Sequence, residues 1–292
     1  MPELPEVESL AGFLDGRIRG LRVERCELAA FAALKTFDPP HGSLVGRTGV
    51  GCSRRGKFLC LDFDGLFLVV HLARGGWLRW YDSIPAGRAK LGKGPLALRL
   101  GFEPAEELGH SPGFDLTEAG TEKRLALWVV DRPEAVAPLA ALGPDPLDPT
   151  FDAGALGRLL AGETGTLKTA LTRQSLVAGV GNAYSDEALH QARLSPYKPA
   201  GRLTGEEVAR LHGALVGLLS EAVDRSAGHV ASELKGDKKR AMRVHGRTGE
   251  ACPTCGDVIR EVSFSSKSMQ YCAGCQTGGK PLADRRFSRL LK

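Results

Sequence analysis

Apolar residues recur with two different periods along this chain. Leu4, Val7, Leu10, Phe13 and Leu14 share one face of a 3.6-residue helix, and Gly16 and Gly20 end it. From about Leu21 to Asp131 the pattern shortens to the runs LRVERCEL, KFLCLDF, LFLVVHLA, WLRWYD, LALRLGF and RLALWVV. They are rich in Val, Leu, Phe and Trp and are punctuated by Gly, Pro and Asp, so they read as short strands. Many strands at close spacing predict an antiparallel sandwich or barrel. The proline-rich stretch 131–149 has no long period and reads as an interdomain linker. Helical periodicity returns over 151–161, 167–176, 184–192 and 204–224, the last opening with TGEE, the pattern of a capping box. The polar, basic stretch 226–240 reads as a mobile loop. The expected organisation is α+β and bilobal: a β-rich lobe over 1–131, a linker over 132–150, a helical domain over 151–240 and a terminal segment over 241–292.

Composition narrows the classes. The 292 residues are long enough for about two domains, and 42% hydrophobic with 25% charged residues excludes a disordered or fibrous chain. Wholly apolar runs such as 66–70 and 125–130 fall far short of the roughly 20 residues that span a bilayer. The acidic opening MPELPEVE has no apolar signal core, so a cytoplasmic protein is the default expectation. Charge is unevenly spread. Residues 235–292 carry 13 basic and 5 acidic groups, net +8, while the other 234 residues carry 26 and 29, net −3. A basic terminal fifth suits a polyanion-binding face, and equally a solvated charged tail.

Three of the seven cysteines, Cys26, Cys52 and Cys60, sit among apolar residues and read as buried thiols. The other four, Cys252, Cys255, Cys272 and Cys275, have the spacing C-x2-C-x16-C-x2-C. Two such knuckles match a four-thiolate tetrahedral zinc site. With no open position, one zinc per chain is expected to be structural and to supply folding energy that so small a ribbon lacks. VIREVSF and SMQYC between the knuckles read as a hairpin. Nearby Arg243, Arg247, Arg260 and Lys267 favour nucleic acid as the partner of the ribbon.

Pro2 stands behind an initiator Met, and a small second residue permits Met removal. The freed secondary amine would sit just before a helix N-terminus, whose dipole disfavours added positive charge. A neutral amine there can attack a sugar C1′ and form an iminium. Glu3 and Glu6 are near enough in sequence to move protons. An ordinary reading also stands: Pro and acidic residues are common in first helical turns.

The opening MPELPEVE, SRRGKFL at 53–59, QSLVAGVGNAYSDEAL at 174–189 and GRTGEACPTCG with YCAGCQ occur together in this order. Together they resemble the formamidopyrimidine-DNA glycosylase/endonuclease VIII family over nearly the whole chain. The resemblance implies an N-terminal antiparallel β-sandwich with the first helix docked beside it. It also implies a C-terminal helical lobe with a helix–two-turns–helix motif and a zinc β-hairpin. DNA would lie in a cleft between lobes with the damaged nucleotide flipped out. Pro2 matches the family nucleophile and Glu3 the acid/base. Lys57 matches a lysine assigned to phosphate contact and β-elimination. Lys168 matches a DNA-contacting lysine, and Asn182 an asparagine that grips phosphate with its loop. Arg54 and Arg55 beside Lys57 offer further cations to a DNA backbone, or else form a solvated face. The glycines of GVGN let backbone N–H groups approach a phosphate, although a lone G-x-G is often an ordinary turn.

The chain departs from the family where the flipped base leaves a gap. HLARGG places Arg74 where members active on 8-oxoguanine have Met. TEKRLA aligns Lys123 with the family Arg and Leu125 with the Phe wedge. In the zinc hairpin, Lys267 replaces an Arg, a point charge in place of a planar fork.

The implied function is base-excision repair. A DNA glycosylase with AP-lyase activity would act on double-stranded DNA carrying a damaged base or abasic site, as a monomer, with no membrane. Catalysis would fall to Pro2, Glu3, Lys57 and Lys267. The DNA would meet Arg54, Arg55, Arg74, Lys123, Leu125, Lys168, Asn182 and Arg247. Two alternatives remain: a catalytically inactive paralogue that binds damaged DNA, and a zinc-ribbon protein that binds RNA or protein.

Overall fold

The computed structural model describes residues 1–90, 92, 94–104, 109–229, 231, 233–264 and 267–283, with the backbone alone for Lys235, Phe264 and Lys267. The chain divides into two compact units. One is Met1–Ala141 with Ser226–Lys235, and the other is Leu142–Arg225 with Gly236–Lys292.

The first unit opens with helix α1 (Leu4–Ile18) and continues, among the described residues, through eight strands. These are β1 (Val23–Leu28), β2 (Gly49–Arg55), β3 (Phe58–Phe63), β4 (Leu66–His71), β5 (Gly76–Tyr81), β6 (Leu96–Phe102), β7 (Gly113–Glu118) and β8 (Ala126–Val130). They form two four-stranded antiparallel sheets, ordered β1-β6-β7-β5 and β2-β3-β4-β8. Period-two patterning sets which residues face inward. Leu59, Leu61 and Phe63 of β3 and Leu66, Leu68 and Val70 of β4 join Leu98, Leu100, Phe102, Phe114 and Leu116 of the other sheet in one core. Val7, Leu10, Ala11, Leu14 and Ile18 of α1 belong to the same core. The architecture is thus the expected sandwich with a docked first helix.

Two strands escaped the sequence reading for the same reason. β2 (GVGCSRR) and β7 (GFDLTE) are glycine-bearing and weakly alternating. Packing explains the glycines. A Cβ on Gly49 would lie 2.2 Å from the carbonyl oxygen of Ile18, and one on Gly51 2.6 Å from an Asp15 carboxylate oxygen. The C-terminal half of α1 therefore rests directly on the β2 backbone. The SRRGKFL segment spans a hairpin. It ends β2 at Arg55, turns through Gly56 at φ 56° and Lys57, and opens β3 at Phe58.

A short helix α2 (Ala137–Ala140) follows in the expected linker. The second unit then carries α3 (Ala153–Ala161), α4 (Leu167–Thr172), α5 (Asn182–Gln191) and α6 (Gly205–Ser226). The capping box of α6 forms as predicted: Glu207 N–H donates to Thr204 Oγ1 at 3.3 Å, and Thr204 N–H to the Glu207 carboxylate at 3.0 Å. Next come α7 (Leu234–Ala241), the hairpin β9 (Ile259–Phe264) and β10 (Lys267–Cys272), and α8 (Ala273–Gln276).

The stretch 226–240 differs from the expected loop. Leu234 opens α7, and Ala231 and Leu234 are buried in the core of the first unit. Trp77 Nε1–H donates to the Ala231 carbonyl at 2.9 Å, and the Ser9 and Ser226 hydroxyls meet at 2.6 Å. These two apolar side chains outweigh the polar composition that suggested a loop. No helix of the described residues is long and apolar enough to cross a membrane. The basic tail over 284–292 lies outside the described residues.

Candidate active site and metal centre

Pro2 is buried, immediately before the cap of α1. Glu3 is the N-cap and Glu6 the third helical residue. Glu3 N–H donates to the Glu6 carboxylate at 2.8 Å, and the Glu3 carboxylate faces the Glu6 N–H in a reciprocal capping box. Glu3 is 2% exposed and Glu6 4%. Two carboxyls are thus held out of water beside Pro2, at the helix end that favours negative charge.

Lys57 follows the left-handed Gly56 in the β2–β3 turn and is itself buried. α1 lies against both β2 and β3, the strands this turn joins. His71 at the end of β4 pairs with Phe58, the residue after Lys57. Burial, and then the charge of Lys57, lower the His71 pKa to about 4. The imidazole is therefore neutral at physiological pH.

The neighbouring arginines behave differently from expectation. Arg54 is engaged with Glu8 of α1, its side chain 8% exposed, and Nη1–H reaches the Gly56 carbonyl at 3.3 Å. It ties α1 to the Lys57 turn, and its buried guanidinium does not present the expected cation to a DNA backbone. Arg55 pairs with Glu134 at the surface.

Arg74 is exposed at the tip of the β4–β5 turn, next to Ala73 at φ 51°. Gly76 N–H closes that turn on the Leu72 carbonyl at 2.9 Å, and Ala119 N–H donates to the Gly75 carbonyl at 3.1 Å. The Arg74 turn is thereby joined to the loop after β7. Glu118, 3% exposed, organises that loop: its carboxylate accepts from Arg124 N–H at 2.7 Å and Leu125 N–H at 3.0 Å. The Lys123 ammonium donates to the Glu118 carbonyl. Leu125 is 2% exposed and sits in the sandwich core, so the expected wedge is a core residue. Its alignment with the family Phe carried no information on which way the side chain turns.

In the second unit, Gly179 at φ 82° and Gly181, the N-cap of α5, shape the GVGN loop. Gln174 braces it: its side chain donates to the Val180 carbonyl at 2.7 Å and accepts from Gly179 N–H at 3.0 Å. Asn182 Nδ2–H donates to the Ser268 carbonyl of β10 at 2.6 Å. Lys168 does not face outward as a DNA contact would. It is 3% exposed, and its ammonium donates to Asp186 at 2.6 Å, Ser185 Oγ at 2.8 Å and the Asn182 carbonyl at 2.7 Å. A buried ammonium needs such partners, and Asp186, fully buried, supplies the charge. Asp186 also receives His245 Nδ1 at 2.7 Å and Gln270 N–H at 3.2 Å. Glu187 accepts three backbone N–H groups, from Arg243, Val244 and His245, at 2.8–2.9 Å. Sequence reasoning missed Gln174, Asp186, Glu187 and His245. The one signal was an acidic pair inside the otherwise buried helical stretch 182–191. Arg247 is half-paired with Glu250 at 2.7 Å. The side chain of Lys267 lies outside the described residues.

The four knuckle cysteines converge. Cys252 and Cys255 precede β9, Cys272 ends β10 and Cys275 lies on α8. Cys252 Sγ lies 3.8 Å from Cys275 Sγ, and Cys255 Sγ 3.4 Å from Cys272 Sγ. Metal–sulfur bonds of about 2.3 Å in a tetrahedron put sulfurs about 3.8 Å apart. All four are free thiols. Burial pushes the Cys252 thiol up, but the Thr254 and Cys255 N–H groups and the neighbouring thiols more than offset it and hold it below the usual range. Asp257 joins the two knuckles by accepting from Val258 N–H at 2.7 Å and Gly274 N–H at 2.8 Å. This donor set fits a metal ion. The four ligand atoms that all lie within 4.8 Å of one another belong to Cys252, Cys272, Cys275 and His190, a residue also missed in the sequence, and this group leaves out Cys255 of the expected four thiolates.

Residues 1–121 match the formamidopyrimidine-DNA glycosylase N-terminal domain, and residues 142–233 its H2TH domain. The formamidopyrimidine-DNA glycosylase of Moorella thermoacetica is 36% identical over 270 residues, 90% of this chain and 94% of that one. A formamidopyrimidine-DNA glycosylase-like protein of Mycobacterium tuberculosis, itself uncharacterised, is 59% identical over 152 residues, 52% of this chain and 95% of that one. Among solved structures, the Lactococcus lactis formamidopyrimidine-DNA glycosylase bound non-covalently to abasic-site DNA superposes with TM-score 0.79. It is 27% identical, covering 94% of this chain and 99% of that one.

Proposed function

This chain belongs to the formamidopyrimidine-DNA glycosylase family, and on that premise we propose that it is a bifunctional glycosylase and AP lyase whose nucleophile is the amine of Pro2. The observation that carries the proposal is the buried start of α1, where Pro2 adjoins two water-excluded carboxyls, Glu3 and Glu6.

With Met1 removed, the Pro2 nitrogen attacks C1′ of a damaged nucleotide. The N-glycosidic bond breaks, and the base leaves with a proton from Glu3. Opening of the sugar ring leaves an iminium between Pro2 and C1′. It draws electrons as a proton leaves C2′ and the C3′–O bond breaks, releasing the 3′ fragment with a 5′ phosphate. Lys57 supplies positive charge to the phosphate during this elimination. Water hydrolyses the iminium and returns the free amine. A second, δ-elimination would fall to Lys267 in place of the family arginine. Zinc held by Cys252, Cys255, Cys272 and Cys275 would stabilise the fold of the hairpin.

Substrate preference follows from the gap-facing loops. Unstacking a base costs a few kcal/mol, and something must fill the gap. Leu125 is committed to the core and Lys123 is drawn onto the Glu118 carbonyl, which leaves no apolar wedge at either position. Arg74 and Arg124 are exposed there, and Arg124 pairs with Glu122 at 3.0 Å. Cations can hydrogen-bond acceptors on any orphan base. Abasic sites should therefore be processed better than 8-oxoguanine, with weak preference for the opposite base. Single-turnover cleavage of both substrates, each opposite all four bases, tests this. Excision of 8-oxoguanine as fast as abasic cleavage, or a strong cytosine preference, would refute it. A paralogue that only binds DNA would cleave neither.

A further inference from the structure

The cysteine cluster has a neighbour that cysteine spacing does not announce. His190, in the last turn of α5, is 2% exposed, and its Nε2 lies 3.2 Å from Cys252 Sγ. One of its ring nitrogens and the sulfurs of Cys252, Cys272 and Cys275 all lie within 4.8 Å of one another. Two roles are open to an imidazole there: to ligate the metal through Nε2, or to donate Nε2–H to a thiolate.

The other ring nitrogen decides. Nδ1 is buried and has no hydrogen-bond partner among the described residues. A histidine ligating through Nε2 carries its proton on Nδ1, and ligating histidines almost always give that proton to an acceptor. None is present among the described residues, so ligation would leave a buried N–H orphaned, which folded proteins avoid more strictly than an idle acceptor. With the proton on Nε2, the N–H points at sulfur and Nδ1 is only an unused lone pair. Cys255 Sγ, 3.4 Å from Cys272 Sγ, offers a fourth sulfur, while His190 stands with the other three cysteines within 4.8 Å.

We propose that His190 is a positioning residue of the metal centre, donating Nε2–H to the Cys252 thiolate without ligating the metal. The bond draws charge from that sulfur, holds it in place and shields it from electrophiles. It also completes a three-point clamp of α5 on the terminal segment. Asn182 reaches the Ser268 carbonyl, Glu187 takes three amides of residues 243–245, and His190 reaches Cys252. The proposal rests on the reading of the four cysteines as a metal site.

The test uses full-length protein, wild type, His190→Phe and His190→Gln, each loaded with zinc and separately with cobalt(II). Elemental analysis should give one zinc per wild-type chain. His190→Phe should release zinc to a competing chelator about tenfold faster, in line with lost outer-shell partners. Cys252 should become the first thiol alkylated by N-ethylmaleimide in the loaded protein. The sulfur-to-cobalt charge-transfer band should shift, while the d–d bands keep their four-sulfur pattern. His190→Gln, whose amide can still donate, should restore much of the slow release, and it carries the test should the Phe variant fail to fold. Changed d–d bands in the variants would show His190 to be a ligand and overturn the proposal. Unchanged release, alkylation and charge transfer with one zinc bound would overturn the proposal alone. A wild-type chain that holds no metal would overturn the metal reading, and the proposal with it.

Discussion

Replacing Lys168 by Met should destabilise the second unit without acting as the loss of a DNA contact. The ammonium and the Asp186 carboxylate form an ion pair with side chains 4% and 0% exposed. Removing one member of such a pair typically costs about 3–5 kcal/mol, because the other charge is left buried and uncompensated. Asp186 keeps two partners, His245 Nδ1 and Gln270 N–H, so the expected loss is at the lower end, about 3 kcal/mol. Replacing both members, Lys168→Met with Asp186→Leu, should recover a substantial part of it. The tryptophans make the assay selective. Trp77, Trp80 and Trp128 all lie in the first unit, whereas most helical residues lie in the second. In urea, with a slope of about 2 kcal/mol per molar, Lys168→Met should lower the far-ultraviolet circular dichroism midpoint by about 1.5 M. The tryptophan fluorescence midpoint should move little. An unchanged dichroism midpoint, together with a salt dependence of DNA affinity flattened by about one unit, would refute the reasoning and return Lys168 to the phosphate backbone.

Leu125→Ala should cost about 2–5 kcal/mol in the fluorescence transition, as for other buried leucines, and leave the opposite-base preference intact; an unchanged midpoint with altered preference would restore the wedge. His71 has a folded pKa of about 4 against an ordinary 6.5, so the unfolded chain takes up the proton first. Its contribution is present above about pH 6.5, is lost as pH falls toward 4, and amounts to about 3 kcal/mol. His71→Gln should remove that part of the acid sensitivity, read as the difference between fluorescence midpoints at pH 7 and pH 4.5; equal acid sensitivity in both proteins would count against it.

The parts of the molecule legible in the sequence are those whose determinants are local. The face of α1, the apolar runs of β3 and β4, the capping box at Thr204 and Glu207 and the paired knuckles of the metal site each need only a short window. What was missed depends on partners far along the chain. β2 hides because Gly49 and Gly51 answer to Ile18 and Asp15 of α1, not to a strand propensity. Lys168 and Leu125 look like surface groups until Asp186 and the sandwich core are in place around them. Asp186 and Glu187 take partners 56–84 residues away in the 243–270 stretch, and His190 finds Cys252 62 residues on. No window of sequence displays such pairings. Resemblance could place a residue in a motif, but it could not say whether the side chain faces DNA or the core.

The central claim is that the amine of Pro2 bonds covalently to the sugar. Sodium borohydride added during reaction with abasic-site DNA reduces an iminium to a stable amine, and the adducted peptide can be mapped by mass spectrometry. The account predicts an intact mass lacking Met1, one DNA adduct per active chain, and attachment at the nitrogen of Pro2. No trapping at all, or an adduct on a lysine that persists undiminished in Pro2→Gly, would contradict it.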